Sequence, residues 1–460
     1  MNTSEQVILD RICYLLLIIS IAFLAFVTGA IVVLAKVFPY EYFNKAYVGA
    51  VALYDQATHY ESPFNTNLWR RSRTSQCGVT RYDSGRAYNG LTLYTSRHAQ
   101  KAFLISMHGE VVHKWELPIR EIWEDPAHSP RPEGYVTWDF VHMFPNGDLL
   151  AIYVGHGDTP WGYGLVRMDK NSKVIWKYFD HVHHQVDVAA DGKIYALTND
   201  IQKHRVEGYE HLEPPRIDDY VVVLSPDGKQ IKKVSVLNAL LRSRYGRMMR
   251  TLSWDIRHDF LHTNSVDVIE GTAASKLAFA SEGQVLLSLR NINAVAVLDL
   301  EREKVVWALH GPWRRQHDAD LLPNGNILLF DNGGHFQAGG GSRVLEFSPL
   351  PLKMVWNYAG DNEHLFESRI RSGQQRLPNG NTLITESDGG RLIEVTRTGD
   401  IVWEYVNPVR GGETEELIPV LSEGVRLDPA SLEPNFVKFL KVTSPNVRAI
   451  ADGACVKHRL

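Results

Sequence analysis

Three histidines occupy related places in this chain of 460 residues. His184 and His317 each stand eight residues ahead of a turn glycine, Gly192 and Gly325, and His262 opens the run HTNSVDVI at an equivalent place ahead of an insertion. Asp139 before Gly147 and Ser372 before Gly380 hold the same register. Imidazole is a competent nucleophile and proton carrier near neutral pH. Asn264 lies two residues after His262, on the same side of a strand. Arg290 ends VLLSLRN, Asn332 ends LLFDN, and Arg343 follows the glycine-rich GGHFQAGGGS, which is expected to deliver it to the same place. His, Asn and Arg without a matching set of carboxylates suit an anionic tetrahedral group such as sulfate or phosphate. A single histidine at a strand end reads more simply as a backbone hydrogen-bond partner, but three at one register favour a shared site. No cysteine cluster or histidine set at ligand spacing supports a metal, and no metal or other cofactor is expected. A serine nucleophile lacks its Gly-x-Ser-x-Gly elbow.

The elements that must position these residues repeat along the chain. The stretch from Gln316 to Gly333 is a histidine, an apolar strand, a Pro-Asn-Gly turn, a second apolar strand and a polar break. Asn-Gly between apolar runs is a hairpin signal, because both residues tolerate the positive φ of tight turns. Versions of this unit occur at 140–154, 183–197, 281–289 and 374–386, and only a shorter GLTLYTS precedes the first repeat. Each is followed by an outer hairpin, at 102–117, 164–179, 220–236, 294–311, 343–360 and 391–407. Five of these carry a tryptophan (Trp115, Trp176, Trp307, Trp356, Trp403), expected to pack between repeats. Four strands at a period of roughly 40–50 residues predict an all-β fold, a six-bladed β-propeller of four-stranded blades. In that fold, residues at one register in several blades converge on one mouth of the central channel.

Charge is nearly balanced at −4, which gives no field argument for nucleic acid. Ile12 to Ala35 carries no charged residue and is long enough to cross a bilayer as a helix, so residues 12–35 are expected to anchor the chain in a membrane. A cleaved signal peptide usually has a shorter apolar core. The expected organisation is a tail and transmembrane anchor at 1–36, a juxtamembrane connector at 37–85, the propeller at 86–425, and a tail at 426–460 that packs on the propeller or closes it. Cys13 lies in the apolar run. Cys77 and Cys455 either bridge, if the two ends meet in an oxidising compartment, or remain free thiols.

Taken together, His262-Thr263-Asn264-Ser265-Val266, the Ser288-Leu289-Arg290 strand end, Gln316-His317-Asp318 with Phe330-Asp331-Asn332-Gly333, and Ser342-Arg343 resemble the bacterial aryl sulfotransferase family of six-bladed propellers. The resemblance covers about residues 85–425. It implies transfer of a sulfuryl group from a phenolic sulfate ester to a phenol through a covalent histidine, without a nucleotide donor. It further implies that His262, Asn264, His317 and Arg343 belong to the sulfate-binding set, and that the propeller of a single-pass inner-membrane protein lies on the periplasmic side. In the last blade, where a nucleophilic histidine is sought, this chain has Ser372-Gly373-Gln374-Gln375. The nucleophile is then His317, His262 or His184, with Asn264, Arg343, Arg290, Asn332 and Asp139 as substrate-binding candidates. The alternative is a non-catalytic propeller that holds a ligand or protein partner at the membrane surface.

Overall fold

The computed structural model describes residues 3–35, 37–40, 42, 62–123, 133–158, 161–253, 256, 258–443 and 455–458. The chain divides into two units, Met1–Ser62 and Pro63–Leu460. In the first, Thr3–Ala35 is one helix. Its stretch Arg11–Ala35 is long and apolar enough to cross a membrane. At 1.5 Å per residue it spans roughly 37 Å, more than a hydrocarbon core of about 30 Å. Large apolar side chains are exposed along the whole stretch, among them Leu15, Phe23 and Leu34, as a helix meant for lipid requires. The helix-compatible sequence at 43–57 lies outside the described residues.

The second unit is a ring of six four-stranded antiparallel blades. The innermost strands, in ring order, are Leu421–Leu427, Val136–Met143, Val182–Val188, Thr263–Val268, His317–Leu321 and Gly373–Arg376. Blade one is completed by the far end of the chain: Leu421–Leu427 pairs with Leu91–Ser96, and this long-range ladder closes the ring. That explains why the first repeat has only a short apolar run before its outer hairpin. Gly78–Tyr82 adds a fifth strand to the outside of blade six.

Why the blades assemble follows from strand alternation. Ile327 and Leu329 belong to the apolar cluster shared with blade four, while Leu328 and Phe330 belong to the one shared with blade six. Both faces of the strand are buried, so its sequence is a continuous apolar run and not an alternating one. Six such clusters lie between the six pairs of neighbouring blades. The repeating tryptophans bind across the seams. Trp115, Trp176, Trp356 and Trp403 donate their indole N–H to the backbone carbonyls of Gly147, Pro226, Arg397 and Met107, each on the next blade. Trp307 instead stacks on Phe279 at 4.3 Å.

The C-terminal region does two things. The strand Leu421–Leu427 closes blade one, and the helix Pro434–Thr443 packs against blades one and two. Phe436 lies so close to the Pro-Asn-Gly turn of blade two that any side chain at Gly147, already at φ +85°, would strike its ring. Beyond that helix, Val456–Lys457 pairs with Val409–Arg410, and Cys455 is bridged to Cys77 with the Cα atoms 5.5 Å apart.

Candidate active site

Five of the six innermost strands carry a register shift near the start of their ladder: at Trp138/Phe140, His183/Val186, Thr263/Ser265, His317/Asp320 and Leu421/Glu423. A β-bulge there breaks the ladder and re-aims side chains into the mouth of the ring. His184, His262, Asp318 and Ser372 have φ between +50° and +77°, a conformation that costs energy in non-glycine residues and persists where the surroundings enforce it.

The re-aimed residues surround a cavity of about 320 Å³. His184, His262, His317, Arg290 and Asp139, all expected from the sequence, line it together. The His184 ring lies 4.9 Å from that of His262 and 6.4 Å from that of His317, centroid to centroid. Arg97 and Arg371 also line it, as do His156 and Asp158, so three guanidiniums meet four histidines and two carboxylates. Leu68, Val154, Trp161 and Ile370 add apolar lining to the same cavity.

The other expected residues stand elsewhere. Asn264 lines a smaller cavity of about 40 Å³ that shares Asp139, His184, His317 and Arg371 with the main one; its amide nitrogen donates to the Gln316 carbonyl at 2.8 Å. Asn332 sits behind His317. Arg343 does not line either cavity: its Nε donates to Asp331 at 2.8 Å and an Nη to the Pro312 carbonyl at 2.7 Å. Ser372 Oγ accepts the Ser387 N–H at 3.0 Å, a strap between strand ends of blade six.

Hydrogen bonds fix the tautomers. His317 Nδ1 faces two acceptors, Asn332 Oδ1 at 2.7 Å and the Arg315 carbonyl at 3.1 Å, so Nδ1 carries the proton. The Asn332 amide cannot flip without losing its own bonds to the Ser368 and Arg371 carbonyls. His317 Nε2 is therefore the unprotonated nitrogen, and it accepts the Arg371 backbone N–H at 3.3 Å. Burial, and after it the charge of Arg290, holds His317 well below the usual histidine range, against the opposing effect of Asn332. Burial, and then its histidine neighbours and Arg290, does the same to His184. Both are neutral at pH 7. His262 differs, because its Nδ1 donates to the Asp259 carboxylate. Burial works to raise the Asp259 carboxyl, but the charge and hydrogen bond of His262, with His183 and Arg290 behind, leave it below its ordinary value.

The cations are held in place but keep capacity to bind. Arg97 pairs with Asp139 and donates to Thr137 Oγ1 at 2.9 Å. Arg371 is anchored on Asn67 at 3.0 and 3.2 Å. Arg290 donates to Asn291 Oδ1 at 2.8 Å, while its buried Nε has no partner in the protein. Burial, then repulsion from Arg315, lowers the Arg290 guanidinium to about 10, still charged at neutral pH. Preorganised donors bind a tetrahedral anion and stabilise charge that develops on it. Among the described residues, the one trio of potential ligands is Asp180, His181 and Asp200, and there Lys233 already bridges the two carboxylates at 3.0 and 3.1 Å.

Residues 141–408 match the family model described as arylsulfotransferase (ASST). The chain belongs to the arylsulfotransferase family. It is accordingly a sulfotransferase enzyme, and the matched span holds His184, His262, His317, Arg290 and Arg371, though not Arg97 or Asp139. No curated protein matches the chain. Among solved structures, the sulfotransferase is similar to a protein of unknown function from Bacteroides caccae at 12% identity, over 72% of this chain and 99% of that one, with a TM-score of 0.46. It is also similar to a streptogramin B lyase at 10% identity, over 74% of this chain and 86% of that one, with a TM-score of 0.39. A catalytically inactive virginiamycin B lyase from Staphylococcus aureus with quinupristin gives 9% identity, 74% and 87% coverage and a TM-score of 0.38.

Sequence reasoning missed Arg97, Arg371, Asp259 and Trp161. Arg97 had a signal: it directly follows the second strand of blade one, as Arg290 follows that of blade four, directly across the ring. Arg371 directly precedes Ser372 in the register that was aligned. Asp259 and Trp161 come from irregular loops, where no repeat marks them.

Proposed function

We propose that this sulfotransferase moves a sulfuryl group from a phenolic sulfate ester to a phenolic acceptor, with His317 as the nucleophile. The observation that carries this reading is the fixed tautomer of His317: proton on Nδ1, lone pair on Nε2, neutral by burial, among guanidiniums. In the first half-reaction Nε2 attacks sulfur, the S–O bond to the phenol breaks, and protonated His262 gives its Nε2 proton to the departing oxygen. In the second, an acceptor phenol gives its proton to His262, attacks sulfur, and the N–S bond breaks, which restores both histidines. Arg290, Arg371 and Arg97 face the charge on the sulfuryl oxygens throughout. The full chain in detergent should transfer sulfate from p-nitrophenyl sulfate to phenol without any nucleotide. Absence of transfer across a panel of aryl donors and phenols would refute this reading.

For location, we propose a single-pass inner-membrane protein with the propeller in the periplasm. Support comes from the apolar helix and the Cys77–Cys455 bridge, since structural disulfides persist in oxidising compartments. In intact bacterial cells both cysteines should resist alkylation until a reductant is added. Labelling of Cys77 and Cys455 before reduction would contradict the assignment.

A further inference from the structure

Resting on the aryl sulfate reading above, we infer that Trp161 is the residue that selects an aromatic body for the sulfate ester. The cavity lining mixes two chemistries: imidazoles and guanidiniums, with the carboxylates of Asp139 and Asp158, and the apolar side chains of Leu68, Val154, Trp161 and Ile370. A ligand complementary to both has an anionic head and a flat apolar body. Trp161 is the largest apolar side chain in that lining, half-buried, and an indole face gives an aromatic ring both contact area and a favourable quadrupole.

The position of Trp161 is built in. It lies in the loop between the strands Leu149–Gly155 and Gly162–Met168 of blade two. The Gly155 N–H closes that loop by donating to the Trp161 carbonyl at 2.8 Å. Glycine is required at both ends. A Cβ at Gly155 would strike the Tyr163 hydroxyl, and one at Gly162 would strike the Val182 carbonyl of blade three. Gly162 therefore sits hard against the neighbouring blade, and the indole of Trp161 is set beside the reactive groups. Its ring lies 5.5 Å from His262 at an interplanar angle of 27°, and 5.9 Å from His184 at 89°. An ester whose sulfur approaches His317 would have its ring within reach of Trp161, which borders His184, itself 6.4 Å from His317. Loops on a rigid scaffold are where specificity is tuned, and Trp161 enters the cavity from one.

Calorimetry with two non-transferable anions tests this apart from turnover. The probes are p-toluenesulfonate and methanesulfonate, which share the anionic head and differ in the body. The wild-type protein is expected to bind the aryl sulfonate at least about tenfold more tightly, a difference of the size one aromatic contact supplies. Trp161→Ala should erase that preference while leaving methanesulfonate affinity within about threefold, and Trp161→Phe should restore most of it. With p-nitrophenyl sulfate the same loss should fall on KM more than on kcat. Equal loss for both sulfonates would mean that Trp161 only shapes the pocket, and an unchanged preference in Trp161→Ala would mean that it plays no part; either result overturns the inference. Discrimination lost in Trp161→Ala without any turnover in the wild type would sink the transfer reading and leave the binding assignment standing.

Discussion

Replacement of His317 by alanine is expected to lower sulfuryl transfer by at least ~10³-fold and to remove the covalent enzyme intermediate, because the group that forms the new bond is gone. The expectation rests on protonation state. A histidine attacks only through an unprotonated nitrogen, and in His317 that nitrogen is Nε2, since Nδ1 donates to Asn332 and Arg315. Its folded-state pKa lies well below 6.5, with burial as the first cause. Nε2 therefore stays unprotonated as pH falls through 6.5, where an exposed histidine would be protonated, and the rate of sulfo-enzyme formation, which needs Nε2 to exchange the Arg371 N–H for sulfur, should show no loss at that point. Rapid quenching with p-nitrophenyl sulfate, digestion and mass spectrometry should find the SO₃ adduct on the peptide that contains His317. His184→Ala, at a neighbouring imidazole with no carboxylate partner, should keep the adduct at reduced rate. An adduct on His184 or His262, or transfer that survives in His317→Ala, would move the nucleophile elsewhere.

How much of this was legible in the sequence depends on whether the cause was local. Leu321 to Phe330 was readable because period, apolar run and Pro-Asn-Gly turn are all short-range, and the same logic placed His184, His262 and His317 in one cavity. The closing strand Leu421–Leu427 was not readable as a strand of blade one, since no turn joins it to Leu91–Ser96 and only ring closure brings them together. Arg343 was expected at the mouth because a glycine-rich loop precedes it. It instead opens a third strand whose first residue pairs with Asp331, and the Asp331 carboxylate and Pro312 carbonyl hold its guanidinium. Asn332 was expected to touch substrate, yet its bonds run to His317 and the backbone, which makes it the part that sets the histidine tautomer. The two cysteines left bridging open, and only the pairing of Val456–Lys457 with Val409–Arg410 brings their backbones within reach.

Asp259→Asn is expected to separate the two half-reactions. His262 is the imidazole that stands on a carboxylate, and the Asp259 contact puts its proton on Nδ1 and leaves Nε2 to give or take a proton in the cavity. An asparagine can present its amide N–H to Nδ1 instead, which drives the ring proton to Nε2 and takes away the charge that stabilises the imidazolium. The loss for a misplaced acid–base group is about 10²–10⁴-fold, but only where a proton must move. A nitrophenolate leaves without protonation, so formation of the sulfo-enzyme from p-nitrophenyl sulfate should stay within about fivefold of wild type by the general acid argument. Transfer onward to an unsubstituted phenol, with a hydroxyl of tyrosine-like acidity near pKa 10, requires that His262 take the proton, and should fall by the full ~10²–10⁴. Sulfo-enzyme should then accumulate in Asp259→Asn and not in wild type. Arg290 and Asp259 are the charged groups beside His262, and Asp259 is the one that Asp259→Asn neutralises. Equal slowing of both half-reactions would show that Asp259 only supports the loop that carries His262, and the acid–base role would have to pass to His184.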